Sequence, residues 1–124
     1  MKYLFFALLV LTGCTKHQGN CISFVKAPVT RVDGPNTGFV NQDIDLTVSF
    51  VCNNGCGQFG NFEITSSGTT ISIAVIAKYE GCICTQVILT RQVQYRFRQS
   101  VPGTYTLKFY LPDNSYLTHT ITIN

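Results

Sequence analysis

The most regular hydrophobic pattern in the chain runs from residue 44 to residue 52. Ile44, Leu46, Val48, Phe50 and Cys52 fall on one parity; Asp43, Asp45, Thr47 and Ser49 fall on the other. A period of two with one polar face predicts an antiparallel strand buried on one side. The alternation recurs downstream. Ile71, Ile73, Val75, Ala77 and Tyr79 predict a strand, and Phe62 to Thr65 a shorter one before it. Val93, Tyr95 and Phe97 form the inner parity of a long strand from about Thr85 to Arg98, with Val87, Ile88 and Leu89 breaking the pattern as a bulge does. Tyr105, Leu107, Phe109 and Leu111 pair with Leu117, His119, Ile121 and Ile123 as a closing hairpin. A first strand starts near Cys21 with Ile22 and Phe24 and is interrupted at Pro28, which cannot donate to a ladder and so marks an edge. Turn-forming residues fill the gaps at 33–38, 66–68, 100–103 and 112–115. Seven short strands separated by turns predict an all-β, antiparallel, two-sheet sandwich over residues 21–124.

The pattern at the N-terminus is different. After Lys2, residues 3–11 are an unbroken apolar run of nine. A membrane-spanning helix needs about 20 apolar residues, so this run fits a removable export signal. It closes on Leu11-Thr12-Gly13-Cys14. That tetrapeptide resembles the lipobox of bacterial lipoproteins, the alternative being a plain secretory signal followed by a chance cysteine. The resemblance implies removal of residues 1–13, acylation of Cys14, and a polar tether over 14–20 leading into the domain. The implied partner is the lipid bilayer, reached through acylated Cys14. Thr15, rather than Asp, after that cysteine implies lipid anchoring at the bacterial outer membrane, on either its periplasmic or its surface face. Further along, the Gly103-Thr104-Tyr105 opening of the closing hairpin resembles the final strands of bacterial immunoglobulin-like domains, which implies an immunoglobulin-like sandwich. The chain has no Trp, unlike antibody-type domains.

Composition narrows the function classes. Charged residues are 12% and hydrophobic ones 45%, a balance that packs rather than stays disordered. The formal charge of +3 falls to +2 once Lys2 is removed, too little to argue for nucleic acid. Five cysteines remain after Cys14: Cys21, Cys52, Cys56, Cys82 and Cys84. If successive strands run up and down, all five collect at one pole. Disulfides are the default in an exported domain. Cys-x-Cys bonds poorly with itself, so Cys82 and Cys84 are each expected to face Cys52 or Cys56, leaving Cys21 unpaired. Two other readings stand beside this one. Cys52, Cys56, Cys82 and Cys84 could supply the four sulfurs of a zinc site, or a thiol could be redox-active.

The other polar groups are poor catalytic material. Asp43 and Asp45 share a strand face without a visible cleft, and His119 has no evident nucleophile beside it. No enzyme and no cofactor is expected. Gln92, Gln94, Arg96 and Arg98 make an outward polar stripe, either an ordinary solvated face or a contact for anionic groups. Tethering at the cysteine pole leaves the loops of the opposite pole, with Phe39, as the expected contact for an unidentified protein or glycan. The two functions to be separated are a non-enzymatic structural or interaction module and a thiol or metal protein.

Overall fold

In the computed structural model, which describes residues 21–124, Pro28 divides the first predicted strand in two. β1 (Ile22–Ala27) and β2 (Val29–Asp33) follow one another along the chain but pair in different sheets. The missing proline N–H falls where the chain crosses between sheets, and the Pro28 carbonyl still accepts from the Val51 amide at 3.0 Å. Seven further strands are β3 (Thr37–Gly38), β4 (Ile44–Cys52), β5 (Gly57–Ser67), β6 (Thr70–Glu80), β7 (Leu89–Phe97), β8 (Gly103–Leu111) and β9 (Ser115–Ile123). Cys14, the expected acylation site, and the expected tether over 14–20 lie outside the described residues.

The smaller sheet has the order β2-β4-β7 and is antiparallel throughout. The larger is built on β6. β5 lines one edge of β6 along its length, from Gly57 opposite Tyr79 to Ser67 opposite Thr70. The other edge is shared: β1 pairs with Val75–Glu80, and β8 pairs in parallel with Thr70–Ile73. β9 continues the sheet beside β8, and β3 adds a short parallel pairing to β9. The sandwich is therefore all-β, as expected, but it has nine strands among the described residues rather than seven. Two of its pairings are parallel, so the purely antiparallel expectation is corrected. Thr37 and Gly38, expected in a turn, form β3.

Two boundaries moved for identifiable reasons. β5 begins at Gly57, ahead of the expected Phe62, because a bulge between Phe59 and Asn61 turns both Phe59 and Phe62 toward the core. The extra residue hides the alternation. The strand expected from Thr85 starts only at Leu89. The Thr85 carbonyl accepts from both Gly55 and Val87 amides at 2.9 Å, so the chain turns at Gln86 and residues 85–88 are a loop, not a bulged strand.

The core is the inner parity of both sheets, including Leu46, Val48 and Phe50 from β4, Ile73 and Val75 from β6, and Leu107 and Phe109 from β8, all nearly inaccessible. A chain of edge-on or tilted rings crosses between sheets, from Phe50 through Phe59, Phe62 and Tyr95 to Phe109, with centroids 4.7 to 6.3 Å apart. Such pairs add roughly 0.5–1.5 kcal/mol each beyond their area burial. At the foot of β8 the Tyr105 hydroxyl donates to the Val101 carbonyl at 2.7 Å, fixing the turn into the strand.

Phe109→Ala should destabilise the domain by about 3–5 kcal/mol, through lost transfer energy and a residual cavity between the sheets. Denaturant titration should show it as a lower midpoint with an unchanged slope. Arg96→Ala, on the exposed face, should leave the midpoint where it is.

Candidate functional site

The strand directions bring all five cysteines of the domain to one pole, as the up-and-down reading expects. Cys21 directly precedes β1, Cys52 ends β4, Cys56 directly precedes β5, and Cys82 and Cys84 follow β6. Two disulfides form there. Cys21 bonds to Cys82 and Cys56 to Cys84, with Cα separations of 5.0 and 5.4 Å. The unpaired cysteine is Cys52, not Cys21.

Both halves of that correction have a structural cause. Cys52 lies on the inner parity of β4 with Ile44, Leu46, Val48 and Phe50, and its side chain is wholly buried. Cys21 is carried to Cys82 by the β1–β6 ladder: Ile22 faces Glu80, and the Gly81 amide donates to the Cys21 carbonyl at 2.9 Å. The alternation at 44–52 already placed Cys52 on the core face, and that signal was available from sequence.

The chemistry of the pole follows. The four sulfurs considered for metal or redox work are those of Cys52, Cys56, Cys82 and Cys84; three of these are in disulfides and the fourth is buried. Disulfide sulfur is not a thiolate ligand, and no group of three or more His, Cys, Asp or Glu among the described residues is arranged to hold a metal ion. Burial pushes the Cys52 thiol up from its ordinary value near 9.0, with a Tyr79 hydrogen bond and the Arg91 charge pulling partly back. Burial likewise raises the Tyr79 hydroxyl, which accepts the Asn53 amide at 2.8 Å. A raised thiol pKa is opposite to what a reactive cysteine needs.

The two staples pin the 81–84 segment against the ends of β1 and β5. Gly81 has φ +138°, and a Cβ there would lie 2.8 Å from the Cys56 sulfur, so only glycine suits this close approach. The segment they hold turns Ile83 outward, 96% exposed, and Ile88, four residues beyond Cys84, is 74% exposed.

The expected contact residues divide differently. Phe39, between β3 and β4, is 67% exposed at the opposite pole, near Val101 at 61%. Their loops are tied by the Asn41 amide, which donates to the Gln99 carbonyl at 2.8 Å. The arginine stripe is a cross-strand ladder. Arg96 meets Asp45 at 3.2 Å, Arg98 meets Asp43 at 3.3 Å, and Gln94 donates to Thr47 at 2.9 Å. Each guanidinium is neutralised by its own carboxylate, so the stripe behaves as a solvated face and not as a free cationic patch. The same pairing takes Asp43 and Asp45 out of consideration as a catalytic couple. His119 lies midway along β9, opposite Leu107, with Nε2 3.1 Å from the Pro35 carbonyl.

A recess on the outer face of the larger sheet was not foreseen. It opens where β1 leaves β6 and β8 takes over, beside Ala74, with walls of Lys26, Glu63, Tyr110 and Tyr116. Lys26 lies 4.0 Å from Glu63 and 5.5 Å from the Tyr110 ring centre; Lys108 lies 5.7 Å from the Tyr116 ring centre. The sequence signal was the pair Tyr110 and Tyr116 flanking the 112–115 turn, but the shared edge of β6 that creates the recess is invisible in sequence.

A family model described as the ORF11 beta-sandwich domain matches residues 46–123, from within β4 to the end of β9. The chain belongs to the ORF11 beta-sandwich domain family. No curated protein and no solved structure matches it. The match takes in Cys52, Cys56, Cys82 and Cys84 but starts after β1–β3. The Cys21–Cys82 bond thus joins the preceding segment covalently to the ORF11 beta-sandwich.

The disulfides close sequence separations of 61 and 28 residues. Chain-entropy arguments give roughly 4 kcal/mol for each closure alone. The two loops interleave, so the sum is smaller. Reduction should lower the thermal midpoint clearly, and equal midpoints with and without reductant, in protein verified as reduced, would contradict the stapling. Without reductant, Cys52 should resist alkylation until the domain is unfolded.

The same thiol gives a pH dependence. Its folded pKa is raised, so the unfolded chain loses the proton first. The contribution is intact below the ordinary value near 9.0 and is lost as pH rises from there toward the folded value. Stability should therefore fall above about pH 9, and Cys52→Ala should flatten the onset of that fall in denaturation curves.

Proposed function

We propose that the protein is an exported bacterial lipoprotein, anchored to the outer membrane through acylated Cys14, whose immunoglobulin-like sandwich is a non-catalytic structural and interaction module. The observation that carries this reading is the pair of disulfides at the pole where the N-terminal segment joins the domain. Such bonds persist in oxidising compartments, in agreement with the export signal read at residues 1–13. Among the described residues no helix is long and apolar enough to cross a membrane. Attachment in this reading is by acyl chains, each buried CH₂ contributing about 0.8 kcal/mol, so two or three chains hold the protein durably.

The module's contact surface in this reading is the pole away from the anchor. Phe39 and Val101 stand exposed there on loops joined through Asn41 and Gln99. The partner is a protein or glycan. The pairing of Arg96 and Arg98 with carboxylates makes them a lesser part of that surface. The Tyr105–Val101 hydrogen bond at the foot of β8 resembles the tyrosine corner of immunoglobulin sandwiches and supports the immunoglobulin-like assignment.

Intact-mass analysis of the membrane fraction tests the anchor. Wild-type protein should begin at Cys14 and carry acyl mass, and Cys14→Ser should yield an unprocessed or released chain. A different first residue with no acyl mass would refute the anchor.

A further inference from the structure

We infer that the 81–88 loop docks into the headgroup–acyl boundary of the bilayer, with Ile83, Val87 and Ile88 as the immersed side chains. This rests on the lipid-anchor reading above. Three observations converge on it, the first being exposure. Ile83 and Ile88 are the two most exposed large apolar side chains among the described residues, and Val87 beside them is 43% exposed. The disulfides on either side of Ile83 stop the loop from folding it inward. Apolar surface held in water by a rigid frame marks an interaction site.

The second observation is charge. Neither the 81–90 stretch nor the 51–58 stretch contains a charged residue. The charges that flank the 81–90 stretch in sequence are engaged: Glu80 lies 3.6 Å from Lys78, and Arg91 donates to the Gly57 carbonyl at 3.1 Å. Moving an unpaired charge out of water is strongly unfavourable, so a surface that meets acyl chains must lack them. The far pole differs in carrying charged residues within its loops, Asp43 and Arg98, which pair with each other at 3.3 Å.

The third is where the chain arrives. Cys21 is bonded to Cys82, the residue next to Ile83. Cys14 precedes Cys21 with six residues between, which span about 20 Å at full extension. Acyl chains on Cys14 therefore hold this pole at the membrane surface. A loop already ordered by two staples loses little conformational freedom on docking. Side chains at the tip of a pole reach the upper part of the interface, where amphipathic segments settle about 5–10 Å deep.

The chain contains no Trp, so Ile83→Trp, Ile88→Trp and, at the far pole, Ser67→Trp each install a single indole reporter. The full acylated protein is reconstituted in phosphatidylethanolamine–phosphatidylglycerol vesicles, with and without brominated phosphatidylcholine. The Ile83→Trp and Ile88→Trp proteins should emit to the blue and lose about half their intensity to the brominated lipid, while the Ser67→Trp protein should emit as in water and be unaffected. Ile88→Trp lies outside the stapled segment and keeps the test decisive if Ile83→Trp disturbs disulfide formation. If the acylated Ile83→Trp and Ile88→Trp proteins are quenched no more than Ser67→Trp, the docking is overturned while the anchor stands. A blue shift without quenching also overturns it, because a second copy or a protein partner then covers the loop. Protein that carries no acyl mass overturns the anchor itself, and the placement of the loop with it.

Discussion

β6 is paired on both edges, and the rest of the domain is arranged by what that requires. From Ile71 to Ala77 its sequence is Ile, Val and Ala interrupted only by Ser72. Ile71, Ile73, Val75 and Ala77 pack inward, and Ala74 is buried even on the outer face. A strand this apolar must be covered. β5 covers one edge completely, and β1 and β8 divide the other. Because β8 meets β6 in parallel and β1 meets it antiparallel, the two meet end to end beside β6, and the recess near Ala74 opens at their junction. The same strand delivers Glu80 opposite Ile22, setting Gly81 and Cys82 against Cys21.

The five cysteines illustrate how one local pattern separates roles within a cluster. Four lie just beyond strand ends, where backbone direction is free to bring sulfurs within bonding reach. Cys52 lies at the last core position of β4 and behaves as a small hydrophobic residue between the sheets. The outcome is a covalently fixed pole with no accessible thiol among the described residues, which removes the ligands that zinc or thiol chemistry needs.

The two poles differ in charge and in what holds their loops. The 51–58 and 81–90 stretches at the cysteine pole carry no charged residue, expose Ile83 and Ile88, and are fixed by disulfides. The opposite pole combines exposed Phe39 and Val101 with charged neighbours and loops held by backbone hydrogen bonds. Between them, the outer face of the smaller sheet is a ladder of paired polar residues whose charges cancel locally. Exposed ion pairs of this kind contribute little to stability and keep a broad sheet face solvated.

The all-β class, the inner parities of β4, β6, β7 and β8, and the gathering of cysteines at one pole were legible in the sequence, because each rests on period two or on chain direction alone. So was the inner parity of Cys52, although that parity sets it apart from the bonded cysteines and the pairing expected for it did not form. What tertiary structure decided was everything that depends on which edge a strand finds. Pro28 could be read as a break, but not as a change of sheet. The bulge at Phe59–Asn61 erased the alternation that would have revealed the start of β5, and the turn at Gln86 was set by a carbonyl shared with Gly55 across the pole. Disulfide partners followed the same rule: they were chosen by the ladder between β1 and β6, a contact between segments far apart along the chain. Side-chain alternation records which face a residue occupies; it carries no record of the neighbour across the strand.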